Sequence, residues 1–446
     1  MHEAIGMHGW EEGIVVEHAL AWWAALIGLA LAIALILKKL NTTYALLVGA
    51  VVGCLIGGAS LASTVGIVVT GAQSVMGTVI RVIAAGVFAG VMMESGAADR
   101  IARTIVERCG ERLAIFALAL ATMVICAVGV FIPVAVLIVA PIAIEVGNRM
   151  GISKLALLVA LSGGGKAGNI ISPNPNTIAV ATGFKIQPSE VMISSFVPAL
   201  CGLAVAVLLA SVLKRHGTMT TLADLEGGGT HRSDEDLPSI GRALVAPALA
   251  IVLLLIGPIG TMLHITLLSR FQVDAMYILP LAAIVGLLVM RQGRHVLDYC
   301  TAGLNRMIDV VMILIGAGAL GGLITNSDLP QQIVGLINAV GVPGSMLAPI
   351  SGILMAAATA STSTGVILGS NSFGHAILTA GTSPMAAAVT MQAGGTVIDA
   401  LPHGNYFHVT AKAMNMNLAE RMKVVAFEAL VGLTMTIVAT VLYIIL

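Results

Sequence analysis

Two stretches of this sequence interrupt apolar runs with glycine, proline and hydrogen-bonding side chains. The first is Ser162–Thr177 (SGGGKAGNIISPNPNT) and the second is Ala393–Asn405 (AGGTVIDALPHGN). Proline breaks helices and glycine permits unwound backbone. The broken ends expose amide groups that suit a carboxylate, while freed carbonyl groups and Asn or Thr oxygens suit a cation or hydroxyl groups. Both stretches therefore predict part of a binding site, with a plain kink or a surface loop as the alternative.

The candidate ligand-binding residues of these stretches share small or hydrogen-bonding side chains. They are Gly164, Gly165, Lys166, Asn169, Ser172, Asn174, Asn176, Thr177, Gly394, Gly395, His403 and Asn405. Two further segments, Val128–Pro133 and Ala360–Gly365, separate pairs of apolar runs and predict the tips of re-entrant hairpins. The second tip contributes four more candidates, Ser361, Thr362, Ser363 and Thr364. Such hydroxyl groups also bond to their own helix backbone without any ligand.

Ionisable side chains in apolar surroundings cost a few kcal/mol each and default to functional hypotheses. Asp399 and His403, four residues apart, are candidates for a coupling proton, and Glu428 is a third candidate or a structural hydrogen-bonding group. Lys166 either neutralises a substrate carboxylate or extends to the membrane surface. His403 and His408 lack a carboxylate on the same face, so we predict no metal site.

The composition indicates that the chain is embedded in a lipid bilayer. Of 446 residues, 58% are hydrophobic and only 10% are charged, against about a quarter charged in soluble domains. A soluble enzyme and a disordered chain are both excluded. The apolar runs are continuous rather than alternating, so the spans are helices and not barrel strands. The net charge of zero argues against nucleic acid as a partner. Five cysteines without a C-x-x-C pair predict neither a disulfide framework nor a metal site. We also predict no cofactor.

Several apolar runs are too short for a full crossing and predict re-entrant or broken segments. The runs are Ala19–Leu37, Tyr44–Gly58, Val79–Met93, Leu113–Val128, Pro133–Val146, Leu155–Gly165, Val191–Leu213, Ala243–Leu263, Met276–Met290, Ile308–Ile324, Met346–Ala360, Gly365–Ala380, Met385–Ile398 and Val424–Leu446. The long polar stretch that begins at Lys214 predicts a linker. We therefore divide the chain into an N-terminal half (1–213), a linker (214–241) and a C-terminal half (242–446).

The two halves are predicted to be inverted repeats. Gly86, Gly90 and Ser95 match Gly318, Gly322 and Ser327 at a constant spacing, and the Gly-Gly pairs of the two breaks match at a similar one. Lysines and arginines favour the cytoplasmic side. They place Lys38 and Lys39, residues 100–112 and the linker inside, whereas residues 328–341 carry none and are predicted outside. The N-terminus is then periplasmic, and inverted topology is a common build of secondary transporters.

Three segments of the sequence resemble the gluconate permease family. They are Gly168–Phe184 (GNIISPNPNTIAVATGF), Ser95–Ile105 (SGAADRIARTI) and Met416–Gly432 (MNLAERMKVVAFEALVG). The resemblance covers most of the chain. It implies a proton-coupled symporter for sugar acids or other small hydroxy- or amino-carboxylates in a bacterial inner membrane. It also implies a homodimer in which one part is a scaffold and another part moves the site across the bilayer.

The sequence thus predicts an all-α polytopic membrane protein of two inverted repeats with re-entrant hairpins and broken helices. The predicted function is secondary transport of a small organic anion such as gluconate. A sodium-coupled carboxylate transporter is the first alternative, because carbonyl, Ser, Thr and Asn oxygens are abundant. An integral-membrane enzyme would need clustered acids in the spans, which the sequence lacks, and a channel has no need of paired breaks.

Overall fold

The computed structural model describes residues 19–110, 113–221, 223–224, 236–262, 264–271, 273–329, 331–332, 335, 343–402 and 404–446. Over these ranges the secondary structure consists of helices joined by turns and two isolated β-bridges. Seven of the described helical segments are long and apolar enough to cross a membrane. The predicted all-α polytopic membrane fold is confirmed.

The described helices follow the order of the chain. The N-terminal half contains α1 (Trp22–Leu37), α2 (Thr42–Ile56), α3 (Leu61–Ser74), α4 (Met76–Glu94), α5 (Ala97–Cys109), α6 (Ala114–Ala127), α7 (Ile132–Met150), α8 (Lys154–Ile170), α9 (Pro175–Gly183), α10 (Pro188–Ser194) and α11 (Phe196–Val212). The C-terminal half contains α12 (Val245–Met262), α13 (Ala275–Val289), α14 (Val296–Thr325), α15 (Leu347–Thr359), α16 (Thr362–Thr379), α17 (Pro384–Gly394), α18 (Asn405–Ala413) and α19 (Leu418–Thr440). Single helical turns also occur at Ile240–Ala243 and Thr266–Ser269.

Several helices differ from the predicted apolar runs: α3, α5, α9 and α18 lie outside them, and α14 begins before its run. Helix α3 lies where no run was predicted, because its Ser, Thr and Gln residues dilute its hydrophobicity. Helix α14 begins at Val296, well before the predicted start at Ile308. Its first turns are amphipathic and bury only Gly303 and Met307, so a search for continuous apolar residues misses them.

The internal repeat is visible in the helix boundaries. Helices α7, α8, α9 and α10 have counterparts α16, α17, α18 and α19, and all four pairs of starts are separated by the same number of positions. We name this separation, which is that from Lys154 to Pro384, the repeat spacing. The local chemistry repeats as well, because Ser153 caps α8 and Ser383 caps α17, each by accepting a backbone N–H of the first turn. The two broken segments therefore occupy equivalent places in two copies of one unit.

The contact between α4 and α14 shows opposite chain directions. Gly86 packs against Met307, whereas Gly90, one turn further along α4, packs against Gly303, one turn earlier along α14. The predicted repeat pairs α4 with the C-terminal part of α14. These equivalent segments run antiparallel, as an inverted repeat requires.

The two ends of α14 mark opposite faces of the molecule. At the C-terminal end, the backbone of Leu20 bonds that of Asn326 (2.9 Å). At the N-terminal end, Gln292 donates to the carbonyl group of Ser95, and a side chain of α5 donates to that of Pro238 in the linker. The 30 residues of α14 separate these faces by about 45 Å. This relative arrangement agrees with the one inferred from loop charge.

The linker is attached to the face of the molecule at the N-terminal end of α14, which we name the linker face. Asp224 forms an ion pair with Lys154 at the start of α8 (2.7 Å) and accepts a hydrogen bond from Asn415 (3.1 Å). Burial alone raises the pKa of the Asp224 carboxyl group, but hydrogen bonds from Lys154, the backbone of Thr221 and Asn415 outweigh burial and lower this pKa below its ordinary value. The carboxylate thus stays charged and holds the linker in place.

The helices pack into two groups. Helices α1–α4 and α12–α14 form a group that we name the scaffold group, and α6–α11 with α15–α19 form the site group. The groups meet where α14 packs against α16 and where α4 packs against α9. The hairpins and both helix breaks belong to the site group.

Candidate functional site

A cavity of about 810 Å³ lies between the two groups, at the point where both hairpin tips and both helix breaks meet the scaffold group. The N-terminal ends of α7, α9, α16 and α18 reach it through Ile132, Asn176, Thr362 and Asn405. The scaffold group contributes the charged residue Arg306 among others. Four helices, two from each repeat, therefore point their N-terminal ends into one cavity.

These N-terminal ends carry positive partial charge. The first amide groups of a helix lack intrahelical partners and form the positive end of its dipole. Two of these four helix N-termini are capped by side chains. Asn174 Oδ1 accepts from the backbone N–H groups of Asn176 (3.0 Å) and Thr177 (3.1 Å), and Ser361 Oγ accepts from that of Thr364 (3.3 Å). Prolines in the first turns of α7 and α9 fit the same pattern, since a missing N–H costs nothing there.

A buried ion pair crosses from one repeat to the other. Lys166 on α8 donates to Asp399 Oδ1 in the second break (2.6 Å) and to the carbonyl oxygen of Thr396 (2.5 Å). The second carboxylate oxygen of Asp399 accepts from Thr362 at the hairpin tip (2.5 Å). The side chains of Lys166 and Asp399 are 0% and 1% exposed. Asp399 lines the cavity, and the lysine lies behind it.

The first break carries neutral side chains in the equivalent place. Asn169 precedes Asp399 by the repeat spacing, and Asn174 donates to its backbone and side-chain oxygens (2.7 and 2.6 Å). Asn169 Nδ2 and Asn176 Oδ1 are buried and have no hydrogen-bond partner within the described part of the chain. Both residues line the cavity. Their polar atoms are therefore available to a ligand.

Behind the cavity lies a second charged cluster. Arg421 forms a two-fold hydrogen-bonded ion pair with Glu428 (2.8 and 3.0 Å), and its guanidinium group stacks over Phe407 (5.0 Å). Tyr406, which lines the cavity, donates to the same carboxylate (3.2 Å), and Ser162 on α8 donates to it as well. These bonds tie α19 to α8 and α18. They give Glu428 a structural partner, while its role in proton coupling stays a prediction.

The paired glycines lie at helix contacts. A Cβ atom at Gly164 would be 2.0 Å from the carbonyl oxygen of Ala119, and one at Gly394 would be 2.5 Å from that of Pro349. Both members of the second pair follow those of the first at the repeat spacing. Glycine at these positions lets two helices of one repeat touch backbone to backbone, twice over. This packing accounts for Gly164 and Gly394 without a ligand, and the second glycine of each pair packs against a side chain of the hairpin helix, Ile132 or Val366.

The structure divides the sequence-predicted site residues into two sets. Those that line the cavity are Asn169, Asn176, Ser361, Thr362, Ser363, Thr364, Asp399 and Asn405. Those that lie behind its wall or in helix contacts are Gly164, Gly165, Lys166, Ser172, Asn174, Thr177, Gly394, Gly395 and Glu428. His403 falls outside the described residues.

Sequence reasoning missed several polar residues of the cavity wall, among them Tyr406, His408 and Arg306. The repeat itself could have found Tyr406, because it follows the predicted Asn176 at the repeat spacing. Arg306 lies in the amphipathic start of α14, which the hydropathy pattern did not indicate. His408 was considered in the sequence only as a metal ligand and not as a wall residue, and it bonds the carbonyl oxygen of Pro402 in the second break (2.7 Å).

Two repeats with re-entrant hairpins, broken helices and a cavity between two helix groups define a polytopic membrane transport protein. The fold is shared with the crystal structure of the YdaH transporter of Alcanivorax borkumensis, at a TM-score of 0.60 and 16% identity over 84% of this chain and 86% of that one. The chain belongs to the GntP permease family, whose profile matches residues 20–446. It is a permease and not an enzyme.

Several related proteins match most of the length of this chain. An uncharacterized transporter of Haemophilus influenzae is 45% identical over 94% of this chain and 97% of its own length. The D-serine transporter DsdX of Escherichia coli is 24% identical over 77% of this chain and 80% of its own. A gluconate permease of Bacillus subtilis is 23% identical over 70% and 73%. The predicted family is confirmed.

Proposed function

We propose that the protein is a secondary active transporter of a small organic anion, whose carboxylate binds in the 810 Å³ cavity. One observation carries the proposal. Four helix N-termini converge on a cavity whose wall holds polar atoms of Asn169 and Asn176 that have no partner among the described residues. Helix N-termini favour a negatively charged group, and the asparagines with the hydroxyl run Ser361–Thr364 suit the hydroxyl groups of a substrate.

The substrate that we propose is gluconate or another sugar or hydroxy acid. Two relatives are named for gluconate and D-serine, which are both small carboxylates with hydroxyl groups. The cavity wall offers the matching chemistry, with dipole ends for the carboxylate and neutral donors and acceptors for hydroxyl groups. We place the protein in the inner membrane, as a homodimer with a periplasmic N-terminus, on the family resemblance and the loop charges.

Asp399 is the group that we assign to the coupling proton. When Asp399 binds a proton, the buried ammonium group of Lys166 loses its counter-charge, which is unfavourable. A substrate carboxylate in the cavity then supplies negative charge nearby. Proton binding and anion binding therefore favour each other, and this coupling is reciprocal by linkage. Mutual coupling of this kind is what a symporter requires.

Transport then follows from movement of the site group against the scaffold group. The main cavity reaches Lys39, at the end of α1 opposite to Leu20. A second cavity of about 390 Å³ lies between the same groups and reaches Asn326 on the other face. Two cavities along one boundary, each nearest a different face, support an elevator-like alternation of access.

Ligand-dependent stability of the purified protein tests the binding site. We expect gluconate, lactate or a related carboxylate to raise the melting temperature and glucose, a neutral polyol, to leave it unchanged. Asn176→Asp adds a negative charge at the start of α9 and is expected to weaken anion binding at least about tenfold, or about 1.4 kcal/mol. Asn417→Asp makes the same change at the start of α19, outside the cavity, and serves as the matched control. Wild-type affinity in Asn176→Asp, or no response to any carboxylate, would contradict the proposed site.

Gradient-driven uptake tests the coupling ion. Vesicles with an imposed pH gradient and no sodium should accumulate the stabilising carboxylate, and a sodium gradient at equal pH should not. Counterflow separates a carrier from a channel: only in a carrier does unlabelled substrate trapped inside the vesicles drive transient accumulation of labelled substrate without an ion gradient. Accumulation that needs sodium would favour the alternative that the sequence left open.

A further inference from the structure

The second helix break contains an arrangement of oxygens that suits a small cation. The carbonyl oxygen of Thr396 lies just after α17, and its neighbour Gly432 brings α19 directly against it. Asp399 adds a carboxylate three residues later. Unwound carbonyl groups and C-terminal ends of half-helices are where secondary transporters bind sodium ions.

The ammonium group of Lys166 already lies among these oxygens. It is 2.5 Å from the Thr396 oxygen and 2.6 Å from Asp399 Oδ1. The lysine arrives from α8 of the other repeat, so it crosses the boundary between the repeats to reach this position. The side chain is fully buried, and this excludes the alternative in which it extends to the membrane surface.

The repeat shows that this cation belongs to one break only. The repeat mate of Lys166 is Thr396 itself, and the repeat mate of Asp399 is Asn169. The first break therefore has neither the carboxylate nor a lysine directed at it by symmetry. The ammonium group and the carboxylate therefore meet at the second break, with the ammonium group supplied by the first repeat and the carboxylate by the second.

We propose that Lys166 is a resident cation, which takes the place of a sodium ion at the second break and makes the transporter independent of sodium. The inference deepens the proposed function, since it concerns the coupling ion of that transport. A buried carboxylate without a cation is strongly unfavourable. The fixed ammonium meets this need permanently, and the proton becomes the one partner of Asp399 that can come and go.

The proposal predicts that a variant without the Lys166 ammonium group gains the ability to bind sodium. Lys166→Ala removes the ammonium group and leaves space beside the Thr396 oxygen and the Asp399 carboxylate. We expect this variant at pH 8 to be stabilised by sodium chloride relative to choline chloride at equal ionic strength, with a rise of about 2–4 °C in melting temperature. The wild type should melt at the same temperature in both salts.

A double variant provides the control. Lys166→Ala with Asp399→Asn keeps the space but removes the carboxylate, and its melting temperature should not distinguish sodium from choline. Should Lys166→Ala not fold, Lys166→Ser offers the same space with one more oxygen ligand and replaces it in the comparison. Stabilisation of the wild type by sodium would overturn the proposal. The proposal would also be overturned if the folded Lys166 single variant, Lys166→Ala or its replacement Lys166→Ser, melted at the same temperature in sodium chloride and in choline chloride.

The cation test is separate from the substrate test. If no carboxylate stabilises the protein but Lys166→Ala gains a response to sodium, the proposed substrate class fails and the resident cation stands. If carboxylates bind and the wild type responds to sodium, the transport function stands and the resident cation fails. The two proposals therefore cannot be lost through one ambiguous result.

Discussion

The substitution Asp399→Asn is the sharpest test of the coupling site. It is nearly isosteric and mimics the protonated carboxyl group, so it changes the charge next to Lys166 and little else. The wild-type pair is 2.6 Å apart with both side chains buried. Removing one partner of such a pair costs about 3–5 kcal/mol, because the other charge stays buried without compensation.

The structure puts the expected loss at the lower end of that range. The amide oxygen of the new side chain can still accept from Lys166, while its NH2 group can donate to the hydroxyl oxygen of Thr362. One hydrogen bond to the ammonium group is kept and only the charge is lost. We expect a loss of about 3 kcal/mol in the free energy of unfolding, measured by denaturant or thermal unfolding in detergent.

A double-mutant cycle separates charge from shape. Lys166→Met together with Asp399→Asn leaves no buried charge at this place and should recover most of the lost stability. The coupling energy of the cycle should therefore be at least about 2 kcal/mol. Additive losses in the two single variants would mean that the pair contributes nothing as a pair.

Transport provides the second readout for Asp399→Asn. The variant is fixed in the equivalent of the protonated state, so its affinity for the anion should not change between pH 6 and pH 8. Exchange of labelled substrate should continue, but accumulation driven by a pH gradient should be lost. Retention of gradient-driven accumulation with unchanged pH dependence would falsify the assignment of the proton to Asp399.

Three further predictions concern the hairpin tip, the helix contacts and the linker. Thr362→Val removes a hydrogen bond to the Asp399 carboxylate and should cost about 1.5–3 kcal/mol in stability, which unfolding in detergent measures. Gly164→Ala places a methyl group 2.0 Å from a carbonyl oxygen of α6 and should abolish folded protein on size exclusion, whereas Gly241→Ala, with open space around it, should not. Asp224 has a lowered pKa in the folded state, so its contribution is present above its unfolded pKa of about 3.9 and is lost as the pH falls through the folded value. Asp224→Asn should therefore lower stability at pH 7 and remove that part of the acid sensitivity, in melting curves recorded from pH 7 to pH 3.

Much of the fold could be predicted from the sequence because a bilayer restricts the choices. Continuous apolar runs without alternation permit helices and exclude strands, and the repeated order of glycines indicated two copies of one unit. Among the segments that the apolar runs missed are α3 and the start of α14. Both bury a single face against other helices, so their hydroxyl and charged residues hide the pattern that a hydropathy search detects.

The candidate site was predicted in part. Paired helix breaks and hydroxyl-rich tips are local features, since proline, glycine and serine act on their own backbone, and the residues that line the cavity came from these features. The partner of Lys166 could not be read in the same way. About half the length of the chain separates Lys166 from Asp399, and the sequence left both a substrate carboxylate and the membrane surface open as destinations for the ammonium group.

The sequence by itself determined the solvent, the helices, the repeat and the places where helices break, because each depends on residue types within one or two helical turns. Only the tertiary structure decided that the Gly-Gly pairs serve helix contacts, that Glu428 is held by Arg421, and that Lys166 crosses to the other repeat. These outcomes depend on which helix packs against which. In a buried, low-dielectric interior a charged group must take the partner that packing brings to it.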